Sequence, residues 1–133
     1  MRPAIRPLVH GLIVAALFLG VSATLRWLAP EYLSLDLVKR ILGFLMGAVV
    51  VGYANAAPKT LSPYIRMRCD PAAEQAIRRF TGWTLALGGT AYALTWAIAP
   101  LDIADWLSMG FLGGALLLVL ARVALKMRKG KSA

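Results

Sequence analysis

The sequence predicts an all-α protein, a four-helix transmembrane bundle with both termini cytoplasmic. Three observations carry that expectation: an excess of apolar residues, four long runs without charge, and basic residues gathered at one side of those runs. The chain has 133 residues and is 59% hydrophobic, with a mean hydropathy of +0.68, whereas soluble domains are roughly 45 to 50% apolar. So short a chain has little interior in which to bury the excess, and it is read as a single integral membrane domain over 1–133. A spanning helix needs about 20 mostly apolar residues, with roughly 17 to 25 acceptable. Residues 7–25, 41–58, 80–101 and 106–121 give uncharged stretches of 19, 18, 22 and 16 residues. The last extends to Leu125 when Arg122 snorkels its guanidinium to the headgroups. Strands of a membrane barrel would instead alternate over about ten residues, and an open sheet would leave edge amides in hydrocarbon.

Helix one is placed at 7–28. Arg2 and Arg6 precede it, and Val21, Ser22 and Ala23 resemble a signal-peptidase site, but the apolar stretch exceeds the roughly 7 to 15 residues of a signal-peptide core, so it is read as retained. Trp27 and Tyr32 follow it as interfacial rings, and Pro30 stops it. Helix two is placed at 38–57; residues 31–40, with Asp36, Lys39 and Arg40, either lie at the interface or lengthen it. A basic loop occupies 58–71. Asp70 and Pro71 read as the cap and first residue of helix three, at 72–99, which Pro100 stops and near whose end Trp96 is read as another interfacial ring. Asp102 caps helix four, at 103–126, with Asp105 in the first turn and Trp106 as a further ring.

Charge sets the orientation. The amino terminus, the 59–79 segment and the carboxyl terminus hold 12 of the 15 basic residues, and the opposite side holds Arg26, Lys39 and Arg40 together with four of the six acids. Short loops rich in lysine and arginine stay in the cytoplasm. Basic residues beside a spanning helix gain on the order of 1 kcal/mol each from anionic lipid, so lipid headgroups are the expected partner. Nucleic acid is not, because no segment outside the runs is long enough for an aromatic-interleaved basic module.

No catalytic or metal pattern emerges, and no cofactor is implied. One cysteine and one histidine cannot assemble a Cys/His cluster within one chain. Gly88-Gly89 and Gly113-Gly114 lie inside apolar runs, not after strands, and are not phosphate loops. Glycine has another use: Gly43 and Gly47, Gly110 and Gly114, and Ala16 and Gly20 are spaced four apart, which lets helices approach closely. Packing within the chain and a homodimer are the two uses for such faces.

Antiparallel helices bring His10, Asn55, Thr81, Thr84 and Arg122 to a common depth. A functional reading makes this layer a cytoplasm-facing site for an anion, a headgroup or a peptide carboxylate, with Arg122 as fixed charge and His10 as the one imidazole. A structural reading makes it cross-helix hydrogen bonding. Arg79 enters helix three beside it.

Asn55, Pro58 and Lys59 form N-x-x-P-K at the end of the glycine-rich second helix. Pro63, Ile65, Arg66 and Arg68 follow, and residues 79–83 read RFTGW. This arrangement, over about residues 43–98, resembles the SdpI family of small bacterial membrane proteins. In that family a helix ends in a similar asparagine-proline-lysine motif, a basic cytoplasmic loop follows, and an arginine- and glycine-rich segment opens the next helix. Where the family commonly carries an arginine-threonine-proline-tryptophan-threonine run, this chain has Arg66-Met67-Arg68-Cys69-Asp70. The resemblance implies a non-enzymatic, multi-pass protein of the bacterial inner membrane with a role in immunity or signalling. Its protein partner would meet the basic loop. The alternative is a small oligomeric transporter or channel, although all six acids lie outside the four runs and a membrane-embedded carboxylate is missing.

Overall fold

Four helices appear in the computed structural model, which describes residues 5–56 and 71–129: α1 Ile5–Leu28, α2 Leu35–Ala56, α3 Pro71–Ile98 and α4 Leu101–Lys129. Three are long and apolar enough to cross a membrane, over Leu8–Leu28, Leu35–Ala56 and Leu101–Lys126. The remaining helix, α3, has 28 residues and is the most polar, with Glu74, Arg78, Arg79 and four threonines. It occupies the centre, with α2 along one side and α4 along another, while α1 meets α2 in only a few places.

The α2–α3 seam is built from glycine. A Cβ on Gly47 would lie 2.7 Å from the Ala93 Cβ and 2.8 Å from the Gly89 carbonyl oxygen, and one on Gly43 would overlap the Trp96 indole. On the other side of α3, a Cβ on Gly88 would come 2.6 Å from the Ala115 Cβ. Close backbone approach of this kind supplies dispersion contact where the surroundings offer no hydrophobic drive. The α3 hydroxyls cost little at this position: Thr95, which is buried, donates to the Ala91 carbonyl at 2.8 Å, and Thr90 to that of Ala86 at 2.8 Å.

The end of α3 poses an accounting problem that α2 solves. The Ala99 N–H serves the Thr95 carbonyl at 2.8 Å. Pro100 has no N–H to offer the next carbonyl, that of Trp96. Arg40 donates through Nη1 to the Trp96 and Ala97 carbonyls, at 3.1 and 3.2 Å. A cation at a helix carboxyl end is also favoured by the dipole.

Residues 35–40 belong to α2, which begins three residues before the sequence expectation. Ser34 is the reason: its Oγ accepts from the Leu37 N–H at 3.2 Å and its carbonyl from the Val38 N–H at 3.1 Å. Replacing Ser34 with alanine should lower thermal stability by about 1 kcal/mol, read as a shifted melting curve in detergent; an unchanged curve would remove the cap from this account. In α4 the first turn forms on the Pro100 carbonyl, which accepts from Ile103 and Ala104. Asp102 thus sits inside the first turn, where its charge still complements the dipole, instead of capping it.

The surface is apolar to an extent that water does not reward. On α1, Leu8, Leu12, Leu17 and Leu19 are between 62% and 67% exposed, and burying such a side chain is worth about 1.5 to 3 kcal/mol. Trp27, Tyr32 and Trp106 are 84%, 78% and 83% exposed, as interfacial rings should be. Trp96 departs from that set. It is half-buried against Gly43, with Nε1 buried and without a hydrogen-bond partner among the described residues.

Candidate functional site at the basic end

Antiparallel helices bring the amino ends of α1 and α3 and the carboxyl ends of α2 and α4 together. α1 approaches α2 there: a Cβ on Gly11 would lie 3.9 Å from the Tyr53 hydroxyl. His10, next to Gly11, and Asn55, two residues past Tyr53, are both exposed, and Thr81 and Thr84 on α3 are half-buried. The groups share one end of the bundle, on its surface rather than in an enclosed layer.

Arg79 and Arg122 are exposed as well. The Arg122 guanidinium carbon sits over the Phe80 ring, 5.3 Å from its centroid, within cation–π range. Glu74 is committed nearby: Arg78 donates to its Oε1 through Nε at 3.0 Å and Nη2 at 2.6 Å, with both side chains largely covered. Lys126 and Arg128 follow Arg122 on α4. The basic end therefore presents several cations, and its one acid among the described residues is engaged with Arg78. The expectations for Pro58, Lys59, Arg66 and Arg68 lie outside the described residues.

Sequence reasoning passed over Phe80 as a partner of Arg122 and Trp83 as a surface ring. Residues 79–83, RFTGW, hold both rings within one turn of Arg79, but nothing in that stretch points to Arg122, which lies on another helix. It also left both uses of the glycine pairs open. Gly43 and Gly47 serve contact within the chain, whereas a Cβ on Gly20, Gly110 or Gly114 would meet nothing within 4 Å. The floor of a shallow groove of about 590 Å3 on α1 includes Ala16 and Gly20.

Comparison of the chain with family models, with curated proteins and with solved structures returns no match. What the fold defines is a class: an all-helical bundle whose apolar helices suit a membrane.

Proposed function

We propose that this chain is a non-enzymatic, SdpI-like protein of the bacterial inner membrane that crosses the bilayer four times, keeps both termini in the cytoplasm, and binds a protein or lipid partner through its basic end in an immunity or signalling role. The observation that carries the reading is the collection of cations at one end of apolar helices, beside a 58–71 segment that adds Lys59, Arg66 and Arg68. The central position of α3 supports a fourth span. A helix flanked by two others needs less apolar surface of its own, and two of its threonines, Thr90 and Thr95, donate to its own carbonyls.

Two measurements test this. Reporters fused to each terminus should both register the cytoplasm, and opposite readings overturn the four-span topology. Purification from native membranes in mild detergent should retain a partner that the Arg66→Ala, Arg68→Ala variant loses. Equal recovery from both proteins would remove the loop from the binding role.

The second reading, a small oligomeric transporter or channel, is favoured by one observation: the small faces at Gly110 and Gly114 on α4 and at Gly20 on α1 are open to a helix of another copy. Robust ion flux through reconstituted liposomes would establish it over the first.

A further inference from the structure

The geometry points to a seat for the headgroup of an anionic phospholipid on the lipid-facing side of the α3–α4 hairpin at its basic end, formed by Arg79, Trp83, Phe80 and Arg122. This deepens the reading that the basic end meets anionic lipid, and rests on it.

The arrangement begins with Arg122. A guanidinium held over a ring face keeps its N–H donors in its own plane, and those donors match a phosphate. Phe80 therefore fixes a cation that would otherwise sweep a long arc. Around α3, at about 100° per residue, Trp83 projects between Arg79 and Phe80, so the four side chains make a continuous patch. Lys126, one turn from Arg122 on α4, adds a third cation. Glu74 does not offset this charge, since its carboxylate is committed to Arg78.

The order of chemistry along the helices identifies the occupant. On α3, Arg79, Trp83 and Leu87 are all exposed, and Trp83 and Leu87 are 68% and 65% exposed. They follow at intervals of four residues, about 6 Å per step. On α4, Lys126, Arg122 and Leu118 repeat the order, with Leu118 60% exposed. Cation, then amphipathic ring or guanidinium, then leucine is the order in which a phospholipid presents phosphate, glycerol and acyl chain. A free phosphate would use only the first of these, and a soluble acidic peptide would leave the leucines uncovered. Both helices run the same gradient side by side, which fits one amphiphile lying along them.

The test is native mass spectrometry and thermal shift of the full chain in detergent, with phosphatidylglycerol, phosphatidylcholine or sodium phosphate added. The wild type should retain phosphatidylglycerol adducts and gain thermal stability from that lipid alone. The Arg79→Gln, Arg122→Gln variant should lose about tenfold or more in affinity for it. Lys39→Gln, at the opposite end of α2, should bind as the wild type does. Equal retention of phosphatidylcholine, unchanged binding by the double variant, or stabilisation by sodium phosphate matching that by the lipid would each overturn the proposal. Should the double variant not stay monodisperse, Arg79→Gln is read alone: its side chain is exposed, and a weakened adduct supports the seat while an unchanged one refutes it. Binding in detergent involves neither leaflet nor protein partner, so an inverted topology or an absent partner would refute the proposed function without touching this result, and the reverse holds equally.

Discussion

Gly47→Val is expected to disrupt the bundle, lowering the unfolding midpoint in detergent far more than any surface change. Even the first carbon added at Gly47 would stand 2.8 Å from both the Gly89 carbonyl oxygen and the Ala93 backbone nitrogen, and 2.7 Å from the Ala93 Cβ. Two of these three neighbours are backbone atoms, which cannot rotate away, so relief requires α2 and α3 to separate. Overpacking typically costs about 1 to 3 kcal/mol and sometimes more. The cost here belongs at or above the upper end because separation also forfeits the seam's dispersion contact. The control lies on α4. Gly110→Val and Gly114→Val add the same atoms where a Cβ meets nothing within 4 Å, and the monomer should tolerate them. If Gly47→Val melts with the wild type, the α2–α3 seam is not as described.

Arg40→Met should produce the second-largest loss, about 2 to 3 kcal/mol. The substitution keeps most of the side chain's apolar length and removes the donors together with their charge. Hydrogen bonds to a charged group are worth about 1.5 to 3 kcal/mol, and here two carbonyls, of Trp96 and Ala97, lose a shared donor. Pro100 cannot replace it. Arg40→Lys retains the charge but offers a more compact, differently shaped donor, and should recover part of the loss. Thermal unfolding of the three proteins in one detergent decides the matter. Equal midpoints would show that the end of α3 is satisfied without α2.

Both expectations turn on features that the sequence marks without explaining. The pair Gly43 and Gly47 announces a close approach, yet spacing alone does not say which helix approaches, and the identical spacing of Gly110 and Gly114 faces open space. Pro100 announces an orphaned carbonyl, yet the donor comes from 56 residues earlier in the chain. Trp96 illustrates the same limit. Its place near a helix end suits an interfacial ring, and Trp27 and Trp106 are exposed at such places, but Gly43 makes room for Trp96 inside the seam. At the basic end, the collection of charge was legible from counts of lysine and arginine, and the gathering of His10, Asn55, Arg79 and Arg122 at one end followed from antiparallel helices. Phe80 beneath Arg122 was not legible, because a contact between α3 and α4 depends on how each helix is rotated about its axis.

Composition and charge spacing by themselves determined that this protein is helical, and where the helices begin and end to within a turn; of the four runs they marked for a bilayer, three are long and apolar enough as helices to cross one. These are properties of single segments, since a helix satisfies its own backbone and an apolar run partitions on its own account. Tertiary structure alone decided that the least apolar helix is the central one, that α1 stands nearly apart, which glycines are in contact, and which cation rests on a ring. Those outcomes depend on rotation and register between helices. In hydrocarbon no hydrophobic drive sets either of them, so a few contacts at short range do.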